Sequence, residues 1–160
     1  MQGGPFKTLV DPRVVEAFGG KRECDKAILR LYHEFRSTET DKEQCAIIGA
    51  AGTADHAFRI WSSHGTDHYI EVPFTEIVQV LSADTRAYEF GWVFAHTHKL
   101  NNKPSEEDNE ATCALSWFSS LLELPMVDHW VFNMSGPSLY SYSKEAKEFL
   151  SPSIRFEVGE

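Results

Sequence analysis

The sequence predicts a mixed α/β (or α+β) domain, and three observations carry that prediction. Apolar residues recur at helical 3.6-residue spacing in separate stretches, short apolar runs bounded by Gly or Pro lie between them, and the two kinds of segment interleave along the chain. At 160 residues and 18.1 kDa there is material for one domain, with no internal repeat. We therefore read residues 1–160 as a single domain with its core at about 23–143 and peripheral segments at 1–20 and 144–160. Hydrophobic residues at 42% and aromatics at 12% exclude a predominantly disordered chain.

Within the first twenty residues, rich in Gly and Pro, only residues 6–10 and a short turn at 14–18 read as ordered. Ala27, Ile28, Leu31, Tyr32 and Phe35 then form one apolar stripe, so residues 23–35 are expected as an amphipathic helix. Residues 45–50, apolar and closed by Gly49 and Ala50, fit a buried strand with Glu43 at its entrance. Strands are expected next at 57–61 and 69–72, and a helix follows Pro73 on the spacing of Ile77, Val78 and Leu81. Residues 91–95 read as a central strand that delivers His96 at its end. Ser105, followed three residues later by Asp108, is a helix-start signal, and Ala111, Ala114, Leu115, Phe118, Leu121 and Leu122 continue that helix. Strands at 127–133 and 139–142 flank a Ser-Gly-Pro turn, with a short helix expected at 144–150 and a last extended piece at 154–158.

The formal charge of −9 (sequence pI about 5.2) repels a nucleic-acid backbone on average and accommodates a basic protein surface more readily. No run approaches the ~20 apolar residues of a membrane span, and the N-terminus lacks a secretory pattern, so a soluble, cytoplasmic protein is expected. Cys24, Cys45 and Cys113 form no CxxC pair and are an odd number; they read as core residues in a reducing compartment.

The chemistry concentrates between residues 95 and 108. His96 and His98 stand two apart at a strand end, which turns both imidazoles to one face, and Asp108 in the first turn of the next helix can return a carboxylate to the same point. Two nitrogens and one oxygen with a free fourth position suit zinc better than magnesium or calcium. An HxH pair alone is weak; the signal here is the pair together with Pro104, Ser105 and Asp108, although Ser105 is also a natural helix cap. A second group, His64, Asp67 and His68, sits in a Gly- and Ser-containing stretch and reads as a polar loop beside the site. His129, between Asp128 and Trp130, reads as a packed or supporting residue.

These residues resemble the HxH…PSxxD signature of the JAMM (MPN+ or JAB) zinc metalloproteases, and the stretch Glu43, Gln44, Cys45, Ala46, Ile47, Ile48, Gly49 resembles that family's upstream glutamate and first core strand. The order of elements agrees over about residues 23–143, and the C-terminal half, with its Asp128-His129 and Tyr140-Ser141 strands, is closest to the RadC-like branch. The pattern departs at three points: one residue fewer than usual lies between His98 and Ser105, Lys99 replaces a usual proline, and Ala46 replaces a frequent glycine. The resemblance implies a mixed sheet flanked by helices of the MPN/JAB, cytidine-deaminase-like kind. It implies zinc on His96, His98 and Asp108, Glu43 as the general base, and Ser105 as hydrogen-bond donor to the tetrahedral oxyanion. The implied activity is that of an isopeptidase or peptidase that removes a ubiquitin-like modifier from a protein or trims its C-terminal extension, as in small bacterial members that accompany ubiquitin-transfer-like enzymes, including in antiphage operons. The implied partner is thus a ubiquitin-like protein or its conjugates, whose extended tail adds a strand. The alternative is a RadC-like domain in DNA-related processes or a non-catalytic MPN interaction scaffold; the charge and the missing basic module weigh against DNA contact.

Overall fold

A computed structural model describes residues 10–38, 42–50, 57–62, 71–98, 104, 106–135, 138–143, 147–150 and 154–155. Helix α1 (Pro12–Ala17) begins where the chain supplies two start signals: Pro12 stands in its first turn, and the Asp11 carboxylate accepts from the Arg13 N–H at 2.8 Å. Val14 and Phe18 are buried, so this stretch, expected to be peripheral, belongs to the core. The flanking Gly and Pro residues mask a helix of only six residues, too short to show a period in the sequence. Gly19 and Gly20, at φ 94° and 120°, turn the chain into α2 (Lys21–Ser37) through backbone conformations that a side chain would strain. Helix α2 buries the expected stripe and adds Cys24.

Strands β1 (Cys45–Gly49) and β2 (Phe58–Trp61) come next, then α3 (Phe74–Ala83) and a 3₁₀ turn (Thr85–Ala87), then β3 (Trp92–His98) and α4 (Glu106–Leu122). Strands β4 (Met126–Asn133), β5 (Ser138–Ser143), β6 (Glu148–Phe149) and β7 (Ile154–Arg155) complete the order. The sheet runs β2-β1-β3-β4-β5-β6, with β7 also paired to β5. Only β3 and β4 pair in parallel among the described strands, and α4 is the crossover such a pair requires.

Helices cover both faces, which is why β1 and β3 are buried at every position and read as continuous apolar runs. On one face α1 and α2 pack through Phe18 and Phe35 onto Trp130 and Phe132, with ring centroids 5.7 and 5.4 Å apart. On the other, Ile77 and Leu81 of α3 and Leu115 of α4 cluster with Ile47, Trp92 and Phe94. The alternation along β3 therefore sends Trp92, Phe94, His96 and His98 to the α4 side. Gly49 has room for nothing larger: an added Cβ would lie 2.1 Å from the Ala87 carbonyl oxygen.

Four expectations are corrected. Glu71 and Val72 lie in no strand, and the other half of that expected strand, Tyr69 and Ile70, falls outside the described residues. The helix expected at 144–150 is replaced at its end by β6, because Phe149 packs edge-on against Tyr142 and His129 at 5.3 and 5.0 Å and tertiary contact overrides local propensity. Cys113 is exposed rather than in the core. Helix α4 keeps only part of the expected apolar stripe inward: Leu115, Phe118 and Leu122 pack on the core, Ala114 and Leu121 face outward, and the polar Asp108, Thr112 and Ser119 are buried.

Asp128, fully enclosed, ties this frame together by accepting hydrogen bonds from the His129 and Tyr142 backbone N–H groups and from the Trp130 indole at 2.8 to 3.2 Å. Burial nevertheless raises its pKa from 3.8 to about 7, outweighing those three donors. Between these values the folded protein holds a proton that the unfolded chain has released, so the stability contributed by Asp128 is full below about pH 4 and declines as pH rises toward 7. Asp128→Asn is expected to remove that slope. Urea unfolding of both proteins from pH 4 to 8 measures it, and parallel pH profiles would contradict it.

Candidate metal centre

The site lies at the end of the sheet where β3 finishes and β1 begins. Thr97 N–H donates to the Gln44 carbonyl and Gln44 N–H to the Thr97 hydroxyl, both at 2.9 Å, which registers the entrance of β1 against the end of β3. The Gln44 side chain fastens the same corner, donating to the Phe35 carbonyl and accepting from the Ser62 hydroxyl at 3.0 Å. Glu43, one residue before this lock, is thereby held beside the histidines although it precedes them by more than fifty positions. It is 6% exposed, and a carboxylate oxygen lies within 4.8 Å of the ligand nitrogens of His96 and His98. These three residues form a group that can hold a metal ion.

The helix side contributes Asp108, in the first turn of α4, where a carboxylate is favoured by the exposed N–H groups of the helix. Its Oδ1 is 3.0 Å from His96 Nε2 and its Oδ2 is 3.3 Å from His98 Nε2, while the two Nε2 atoms are 3.3 Å apart. Such spacing is that of donor atoms sharing one tetrahedral ion, whose bonds of about 2.0 to 2.1 Å place neighbouring donors about 3.3 Å apart. Two carboxylates and two imidazoles, all nearly enclosed, also make an arrangement that a cation stabilises. The donor set fits a bound metal on these grounds.

Behind the cluster lies a buried polar chain. His96 Nδ1 is 2.9 Å from His129 Nε2, and His129 Nδ1 is 2.7 Å from the Thr112 hydroxyl, which in turn reaches the Asp108 carbonyl at 3.0 Å. Phe94 and Phe149 wall the His129 ring at 5.1 and 5.0 Å. Burial lowers the pKa of His96, opposed by the neighbouring Asp108 carboxylate, and lowers that of His129 well below the usual histidine value. Both shifts favour the neutral ring, the state in which an imidazole nitrogen offers a lone pair to a metal.

A family model for the RadC-like JAB domain matches residues 22–148. The chain belongs to this family. Its mixed sheet flanked by helices is consistent with the JAB/MPN fold, and the group of Glu43, His96 and His98 fits the metal use of JAB domains. No match was found among curated proteins.

Of the residues singled out in the sequence, the JAB domain brings Glu43, His96, His98 and Asp108 to one place and sets His129 behind His96. Ser105 falls outside the described residues, as do His64, Asp67 and His68. Thr112 was not apparent from the sequence. Its signal was available in the phase of α4, since positions 108, 112, 115 and 119 form one inward stripe and a threonine four residues after a ligand carboxylate stands directly behind it. Among the described residues no helix is long and apolar enough to cross a membrane.

Proposed function

We propose that this JAB domain is a zinc-dependent hydrolase that cleaves the isopeptide or peptide bond joining a ubiquitin-like modifier to its target or C-terminal extension, acting in the cytoplasm. The observation that carries the reading is the convergence of His96, His98 and Asp108 at 3.0 to 3.3 Å with the Glu43 carboxylate beside them. His96, His98 and Asp108 would hold the ion, since two imidazole nitrogens and one carboxylate are a zinc-type set. Bound zinc would supply a Lewis acid and bring the pKa of a coordinated water from 15.7 to roughly 7.

The remaining work falls to the chain's own groups. Glu43, whose carboxylate lies within 4.8 Å of the histidine nitrogens, is assigned to accept a proton from the attacking water and to deliver it to the departing amine, which is general acid–base work by one carboxylate. Ser105 is proposed as hydrogen-bond donor to the oxyanion, on its place three residues before Asp108. Among the described strands β2 forms one edge of the sheet, and its Trp61 end lies beside Cys45 at the corner that carries Glu43. An extended modifier tail pairing along that edge would be led toward the metal. The net charge of −9 favours such a protein partner over nucleic acid, and a role beside a bacterial ubiquitin-like conjugation system, including antiphage ones, follows from the same reading.

The test joins metal analysis to cleavage. Purified protein is expected to carry close to one zinc per chain by plasma mass spectrometry and the His96→Ala, His98→Ala double variant none, and the wild type is expected to release the C-terminal extension from a panel of ubiquitin-like fusions. Equal zinc in both proteins would place the ion elsewhere. Zinc at the site without cleavage of any fusion or isopeptide conjugate would favour the alternative of a non-catalytic MPN interaction scaffold.

A further inference from the structure

The polar chain behind the site has a direction, and that direction selects which nitrogen of His96 is bare. The Thr112 hydroxyl has a single proton. The Asp108 carbonyl, 3.0 Å away, can only accept, so that proton points to it. The Thr112 oxygen must then receive from its other neighbour, which places a proton on His129 Nδ1 at 2.7 Å. A neutral imidazole carries one proton, so His129 Nε2 is an acceptor, and His96 Nδ1 at 2.9 Å must donate to it. The proton of His96 is therefore spent on the rear of the ring, which leaves its Nε2 as a lone pair for an ion held between it, His98 Nε2 at 3.3 Å and Asp108 Oδ1 at 3.0 Å.

We infer that Thr112 and His129 are positioning residues that fix His96 as the Nδ1–H tautomer and so keep its Nε2 available to a metal. The arrangement differs from the usual one, in which a ligand histidine donates to a carboxylate, a backbone carbonyl or water. Here a second, non-ligating histidine takes that place and passes the hydrogen-bond order back to the helix that carries Asp108. One threonine hydroxyl therefore supports two ligands: it orders the imidazole chain to His96, and it grips the backbone carbonyl of Asp108 itself. The reverse order, with the Thr112 proton on His129 Nδ1, would run the donors forward and put a proton on His96 Nε2, blocking the metal position. Enclosure by Phe94 and Phe149 keeps solvent from supplying alternative partners, so the order holds for as long as the threonine anchors it.

This inference rests on the zinc site proposed above, and the test separates the two. Thr112→Val keeps the shape of the side chain and removes the hydroxyl, whereas Thr112→Ser keeps the hydroxyl. Zinc affinity by chelator competition is expected to fall about 10- to 100-fold in the valine variant and to stay within about twofold of wild type in the serine variant. Histidine ring ¹⁵N shifts of the wild type are expected to show the His129 proton on Nδ1, a readout that packing alone would not set and that remains decisive if the valine variant does not fold. Wild-type zinc affinity in Thr112→Val, or a His129 proton on Nε2, would overturn the ordering while leaving the metal site standing. A wild type that binds no zinc would overturn both.

Discussion

Replacing Glu43 with glutamine is expected to slow hydrolysis by about 10²- to 10⁴-fold while leaving bound zinc at its wild-type level. Glutamine has nearly the same size and can accept hydrogen bonds, but it cannot take up a proton at neutral pH, so the change removes basicity and little else. Its position sharpens the expectation: the residue is buried and held at the end of β3 by the Gln44 to Thr97 lock, so its carboxylate stays beside the histidines. Turnover of a fusion that the wild type cleaves, measured together with metal content, checks both halves. Retained turnover would remove Glu43 from the role of base, and lost zinc would make it a ligand instead.

Asp108→Ala is expected to have the opposite signature, losing metal and activity together. The carboxylate bridges both histidines at 3.0 and 3.3 Å, so its removal deletes a donor and takes away the negative charge that offsets the cation. An affinity loss of at least 10²-fold is expected by chelator competition, larger than that of any residue behind the ligands. Read as a pair, the two carboxylate variants assign the roles of Glu43 and Asp108 without a bound structure: one should keep its zinc and the other should not.

Much of the site was legible because its spacing is local. His96 and His98 share a strand, and the Ser105 to Asp108 segment announces a helix start, so periodicity alone turned these residues toward one point. Glu43 was legible only through resemblance, since its approach depends on the antiparallel pairing of Cys45 with His96, a long-range fact that no local pattern encodes. The phase of α4 misled for a related reason. Leu115, Phe118 and Leu122 of its apolar stripe do pack inward, but Ala114 and Leu121 face outward while Asp108 and Thr112 take inward positions for chemistry, and a count of hydrophobic residues cannot see that exchange. The β6 strand was missed because a two-residue pairing is decided by where Phe149 finds its aromatic neighbours. Helix α1 shows the converse case, in which a short element leaves too few residues to reveal a period but still inserts Phe18 fully into the core.

The division of the site between the sheet and α4 has a consequence for how the molecule breathes. Leu115 buries one turn of α4, but at the head of the helix the inward residues are Asp108 and Thr112, so apolar packing does little to hold that end down. An ion gripped by β3 on one side and Asp108 on the other acts as a rivet across that seam. With free ion at 100 times its dissociation constant, the rivet adds about 2.7 kcal/mol against any opening that separates the two. The head of α4 is then expected to exchange its amide hydrogens slowly in loaded protein and quickly in stripped protein, while β1 and the centre of β3, sealed between two layers, are expected to exchange at the same slow rate in either.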